Sequence, residues 1–254
     1  MSQKQAEIET FLVNFLREEV GKIGFSKVVL GLSGGIDSAV VALLAKRAFG
    51  KNMLCMIMPS STSNPQSLKD AKALCKKHEL PYEVMPIGHL VESYNSASSM
   101  SELRKGNFTS RIRMSVLYDI SARENALVLG ASNKSELLLG YGTLHGDLAS
   151  AFNPIGDIYK SDIFDFARHL GVNEEIVSKA PSADLWEGQS DEKELGFPYS
   201  KIDAFLKAFI ENGLTLEELE KKGFESALCK NISERVKRNA FKTKPPTIAK
   251  LKII

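Results

Sequence analysis

Residues 27–38, KVVLGLSGGIDS, constrain the fold of this chain more than any other stretch. Val28, Val29 and Leu30 make an apolar run of strand length, and residues 39–45, AVVALLA, carry the continuous apolar pattern of a buried helix. The connection between them is a glycine turn. Gly31, Gly34 and Gly35 open the backbone to positive φ and leave no Cβ in the way of an approaching anion. Ser33 and Ser38 add hydroxyl donors, with Leu32 and Ile36 as the apolar members of the same loop. A helix starting near Asp37 would point its unpaired N–H groups and positive dipole end back at the turn. Strand, turn and helix together form a phosphate nest, so residues 31–38 are the first candidate nucleotide site. An isolated SGG also reads as a plain helix cap, with Asp or Ser satisfying one orphan N–H.

The turn lacks the lysine of the GxxxxGK[ST] triphosphate loop, since Ile36 and Asp37 stand where that lysine would fall. Asp37 at the mouth of an anion site repels phosphate unless a divalent cation lies between them. That arrangement points to Mg2+ bridging a carboxylate and phosphate oxygens.

Ahead of the nest, Ile8, Phe11, Leu12, Phe15, Leu16 and Val20 repeat at helical spacing. After it, the pattern predicts a helix over 37–49, a strand over 53–58, a helix over 65–78 opened by Pro65, and a short strand over 82–85. A helix over 107–124 and a buried strand over 126–130 follow. Alternation of this kind predicts an α/β fold with a doubly wound, mostly parallel sheet, whose ligands gather at the carboxyl ends of its strands. Residues 140–156 are glycine-rich and irregular, which marks a functional loop. Residues 160–170 form a helix, 184–199 read as a polar loop mobile without ligand, and the last fifty residues are helical. The chain is expected to be one domain of 254 residues, with a nucleotide-binding core over about 25–180 and a C-terminal loop and helical extension over about 181–254.

A content of 43% apolar and 25% charged residues suits a water-exposed globular fold, and a net charge of +2 gives no general attraction for nucleic acid. Cys55, Cys75 and Cys229 are widely spaced without a CxxC pair, which argues against a zinc knuckle or a disulfide framework and for a reducing compartment. The polar start and the lack of any run of eighteen apolar residues argue against export and membrane spanning, so a cytoplasmic protein is expected.

SGGIDS resembles the pyrophosphate-binding loop of the ATP pyrophosphatase group, whose members split ATP between its α and β phosphates and adenylate an acceptor. Within that group the rest of the chain is similar to the NAD synthetases. Residues 129–136, LGASNKSE, resemble a strand-end motif whose Glu helps to hold Mg2+; the resemblance makes Glu136 the second carboxylate beside Asp37, and puts Ala131 where the family's Thr contacts ATP. Residues 107–114, NFTSRIRM, resemble the N-x-x-A-R-x-R-M helix, which implies Arg111 on the deamido-NAD substrate and Arg113 in support of the fold or dimer. Residues 140–147 and 153–161 resemble a region that assigns Lys160 to ATP phosphates and Asp147 to the nicotinate side, although the family's substrate lysine is Leu144 here and a further family Asp is Ala151. Ser182, in KAPSADL, takes the place of a hydroxyl residue on ATP phosphate. Phe241 and Lys242 take the place of a His-Lys pair on deamido-NAD.

The resemblance implies a Rossmann-like fold of the adenine nucleotide alpha hydrolase type and ATP-dependent amidation of deamido-NAD to NAD through an adenylate. It implies Mg2+ and a homodimer with its substrate site at the interface, and assigns no nucleophilic side chain. About thirty residues precede Ser33 and none is Cys, so free ammonia, in place of an amidase domain, is the expected nitrogen donor. Taken alone, Glu136 is also an ordinary first-turn carboxylate favoured by a helix dipole, Arg113 a surface ion pair, and the basic tail solvated charge. Two other functions share the loop. A tRNA-thiolating or other adenylating enzyme would want paired cysteines or an RNA-binding domain, and a non-catalytic ATP-binding regulator needs no pair of carboxylates around a metal.

Overall fold

The computed structural model describes residues 3–182, 184–186 and 188–251. In chain order the elements are α1 (Gln3–Lys22), β1 (Val28–Gly31), α2 (Ile36–Phe49), β2 (Met53–Ile57), α3 (Pro65–Lys77), β3 (Tyr82–Val84), α4 (Gly88–Ser98), α5 (Glu102–Glu124) and β4 (Leu127–Leu129). Then come α6 (Lys134–Leu139), α7 (Lys160–Leu170), α8 (Glu174–Val177), α9 (Asp191–Leu195), α10 (Tyr199–Leu206), α11 (Leu216–Lys221) and α12 (Ser226–Asn239). The strands form one sheet in the order β3-β2-β1-β4. Every neighbouring pair is parallel: Val28 aligns with Met53 of β2 and with Leu127 of β4, and Cys55 aligns with Tyr82 of β3.

Side chains alternate across a strand, so each strand feeds two cores. Val28, Leu30, Cys55, Ile57 and Leu129 point to one face, where α1, α2, α3, α7 and α8 cover them. Val29, Met56 and Val128 point to the other, beneath α4 and α5. Helices on both faces explain why β1 and β2 read as unbroken apolar runs. A third core, built from Leu139, Tyr199, Ile202, Phe205, Leu219, Leu228 and Ile232, joins α6 to the C-terminal helices. No helix among the described residues is long and apolar enough to cross a membrane.

The sheet is doubly wound, as expected, and helix boundaries follow local chemistry. Pro65 opens α3 with Asn64 as its cap, the Asn64 side chain accepting from Gln66 N at 2.8 Å. The structure adds one helix and corrects the start of another. Residues 88–98, unassigned from the sequence, form a helix; α4 buries only Val91 and leaves Leu90 and Tyr94 exposed. The helix expected from 107 starts at Glu102 and runs through Gly106, which a helix former would normally replace; a Cβ there would come within 3.1 Å of the Leu185 side chain.

Candidate active site

The nest folds as its glycines require. Gly34 has φ +86°, and a Cβ at this position would lie 2.1 Å from the Ser67 carbonyl oxygen. Both the left-handed backbone and the close approach to α3 therefore exclude any other residue. The two serines brace the turn: Ser33 N donates to Ser38 Oγ at 3.2 Å, Gly35 N donates to Ser33 Oγ at 3.2 Å, and Ser38 Oγ donates to the Gly35 carbonyl at 3.0 Å. Leu32 and Ile36 are buried and anchor the loop in the core, and Gly31 ends β1.

Asp37 lies in the first turn of α2, and Lys160 is the first residue of α7. Lys160 Nζ lies 2.5 Å from Asp37 Oδ2 and 3.8 Å from Glu136 Oε1. Three residues far apart in sequence thus meet because β4 lies beside β1, which brings the start of α6 next to the nest. Glu136 is also a cap: Glu136 N donates to Asn133 Oδ1, and Asn133 N donates to Glu136 Oε2, a reciprocal capping box. Its other oxygen faces Lys160. The structural and functional readings of Glu136 are compatible.

Burial opposes charge on Lys160, but the Asp37 and Glu136 carboxylates outweigh it and hold the ammonium above its ordinary value. Burial and the neighbouring Asp37 push the Glu136 carboxyl well above the usual carboxylate range, against the pull of Lys160. Burial, with Glu136 and Asp191 next, pushes the Tyr199 phenol up, so it stays protonated.

Two carboxylates converging on one cation fit a hard divalent ion such as Mg2+. The point between them already favours positive charge, which the lysine supplies. Among the described residues no group of three or more His, Cys, Asp or Glu could hold a metal. A Mg2+ ion here would therefore draw further ligands from phosphate oxygens and water.

Several residues that shape this cluster carried no signal as single positions. Asn133 Nδ2 donates to Asp37 Oδ1 at 3.0 Å while Asn133 Oδ1 accepts from Glu136 N, so one amide sets both carboxylates. Asp203, buried on α10, accepts from Ser135 Oγ at 2.6 Å and from Ser161 N at 2.8 Å. Ser135 Oγ accepts in turn from Lys160 N. The C-terminal region thereby pins the starts of α6 and α7. The one available hint was a carboxylate in the otherwise apolar run Ile202, Ala204, Phe205 and Leu206. Lys179 pairs with buried Asp70 and donates to the Gly34 carbonyl, tying the segment after α8 to the nest.

Residues 184–199, read from the sequence as a polar loop, hold the short helix α9 and are bonded to the loop after β2: Asn64 N donates to Asp184 Oδ2 at 2.9 Å, and Thr62 Oγ1 donates to the Leu185 carbonyl at 3.1 Å. Ser182 is exposed, and its Oγ accepts from Asp184 N. Ala131 follows β4 and packs partly into the first core.

A second group gathers around residues 140–148. Arg111 Nε donates to the Leu144 carbonyl at 3.2 Å. Asp147 accepts from Ser110 Oγ at 2.6 Å and from Thr143 N at 3.0 Å. Lys242 Nζ donates to the Gly140 and Gly142 carbonyls at 2.8 and 3.0 Å, and burial lowers its pKa. Phe241 is 59% exposed. Arg113 is not a surface ion pair: Nε donates to the Met58 carbonyl and a terminal nitrogen donates to Ser63 Oγ, which braces the end of β2. Helix α6 starts at the first group and ends at Gly140 in the second, and its six residues span roughly 9 Å. The two groups are therefore opposite ends of one short rod.

The sequence matches the NAD synthase family over residues 8–246. It is 49% identical over 246 residues to an NH3-dependent NAD+ synthetase of Chlorobaculum tepidum, covering 96% of this chain and 89% of that one. It is 47% identical to one of Helicobacter pylori over 98% of each chain. This chain belongs to the NAD synthase family. Solved structures agree with that placement. The NH3-dependent NAD synthetase of Campylobacter jejuni, 41% identical, superposes with a TM-score of 0.83 over 98% of this chain and 100% of that one. The NMN synthetase of Francisella tularensis, 31% identical, superposes with a TM-score of 0.88 over 97% and 99%. Both superpositions extend over nearly the whole chain, so the overall fold is common to these two structures and this one.

Proposed function

We propose that this chain amidates deamido-NAD with ammonia at the expense of ATP, giving NAD, AMP and pyrophosphate. The observation that carries this reading is the meeting of Asp37, Glu136 and Lys160 beside the glycine nest. In the first step a nicotinate carboxylate oxygen bonds to the α-phosphorus, the bond from that phosphorus to the bridging oxygen breaks, and pyrophosphate leaves. In the second, ammonia forms a C–N bond to the acyl carbon, the acyl C–O bond breaks, and AMP leaves with loss of a proton. A bare carboxylate resists amines because oxide is its leaving group; the adenylate replaces oxide by AMP.

The protein's own work is placement and charge balance. The N–H groups of the nest cradle phosphate oxygens, Lys160 balances the departing pyrophosphate, and Ser182 and Ala131 flank the ATP. Asp37 and Glu136 would hold Mg2+, which supplies positive charge to the phosphates. Arg111, Asp147, Phe241 and Lys242 bind the deamido-NAD side, with Arg111 matched to a diphosphate or carboxylate. Residues 25–180 and 181–254 act as one unit, a reading supported by the bonds of Asp203 to Ser135 and Ser161. Buried, unpaired Cys55, Cys75 and Cys229 suit a cytoplasmic protein.

The likeness to the Francisella NMN synthetase favours one second reading, in which the acceptor is the deamido mononucleotide. One assay tests both. Purified protein with ATP and Mg2+ is given ammonium and either acceptor, and pyrophosphate and amide are measured with each component omitted in turn. Faster turnover of deamido-NAD is expected. Preference for the mononucleotide would replace the acceptor, and acceptor-independent or absent pyrophosphate release would end the enzyme reading.

A further inference from the structure

Tyr199 opens α10 directly behind the carboxylate cluster. It is only 3% exposed, yet its hydroxyl has no hydrogen-bond partner among the described residues. The ring lies under the Lys160 ammonium, 5.7 Å from centroid to Nζ, and the charges bearing on the phenol are Glu136, Asp191 and Asp37. Its surroundings are otherwise well satisfied. Tyr199 N donates to Glu192 Oε1 at 2.8 Å, and the neighbouring Tyr141 hydroxyl donates to Asp191 Oδ1 at 3.1 Å. An unpaired buried hydroxyl opposes folding, and a phenylalanine would fill the same space without that cost. This buried hydroxyl without a partner thus belongs to a ring packed against the Lys160 ammonium, the cation that meets Asp37 and Glu136.

We propose that the Tyr199 hydroxyl is a further ligand-binding group of this site, bonded in the loaded state to an oxygen of the nucleotide–cation assembly. That oxygen belongs either to a phosphate or to a water carried by the cation. The inference rests on the nucleotide assignment made above.

Y199F keeps the ring and removes only the hydroxyl. Calorimetric titration with ATP, in Mg2+ and in EDTA, is compared with wild-type protein, and the melting temperature of each ligand-free protein is recorded. Y199F should melt at or above the wild-type temperature while binding Mg2+-ATP about tenfold to a hundredfold more weakly, the range for a hydrogen bond to a charged partner. A loss that persists in EDTA identifies a phosphate oxygen, and a loss confined to Mg2+ identifies the cation's water. Unchanged affinity in both conditions overturns the proposal. So does a melting temperature clearly below wild type, which would mean that the hydroxyl is bonded within the protein. Wild-type protein that binds no ATP would instead sink the nucleotide assignment itself.

Discussion

Asp37 is the residue on which most of the site turns, since it takes a bond from Asn133 Nδ2 and an ion pair from Lys160. Asp37→Asn removes the charge while Glu136 remains to balance the buried ammonium, so the fold should survive. Turnover should fall about a hundredfold to a thousandfold, the scale of losing one preorganised electrostatic group. Near-normal turnover, with circular dichroism showing an unchanged fold, would remove Asp37 from the chemistry. Arg111 belongs to the other group. Arg111→Ala should raise KM for deamido-NAD about tenfold or more, the value of one charge-assisted bond, with a much smaller effect on KM for ATP. Equal shifts in both constants would put Arg111 outside the acceptor site.

At the level of elements, the starts of α6 and α7 are held by a carboxylate from α10. Asp203 is 1% exposed and accepts from both Ser135 and Ser161. Asp203→Ala strands those donors in the interior and should cost about 2–3 kcal/mol of stability. Urea denaturation reads this directly, and a wild-type midpoint would show that the helix starts are held by other means. Activity should fall as well, because Lys160 N is bonded to Ser135 Oγ and moves with it. Strong local signals made some elements legible: Pro65 after Asn64 for α3, the apolar run and glycine turn for β1 and α2. Helices α4 and α9 were not legible. The large apolar positions of α4, Leu90, Val91 and Tyr94, cover less than two turns, and α9 is a five-residue turn within a polar stretch, so both are too short to show a sustained helical period.

For the whole molecule, Leu90, Tyr94, Leu103 and Tyr118 leave apolar surface exposed on α4 and α5, the helices that cover one face of the sheet. Arg111 is exposed on α5 as well, so a second copy packed on this surface would stand next to the residues proposed to bind the acceptor. We expect a homodimer. Sedimentation equilibrium should give twice the mass of the 254-residue chain, and the pair Tyr94→Glu and Tyr118→Glu should yield monomers with reduced activity. Monomeric wild-type protein would remove the dimer and any shared site.

The nest, Asp37 as its acidic member and the alternation of strands and helices could be read from the chain alone, whereas the candidate residues at 111, 136, 160 and 242 were named through the resemblance to the NAD synthetases. Turn geometry and apolar periodicity are properties of near neighbours, so they are written locally. Strand order is not local. Only the folded molecule sets β4 against β1, and with it Glu136 and Lys160 against Asp37. Asn133, Asp203 and Tyr199 acquire their significance from the same packing. Each is an ordinary polar residue until segments distant in sequence enclose it and leave its hydrogen bonds nowhere else to go.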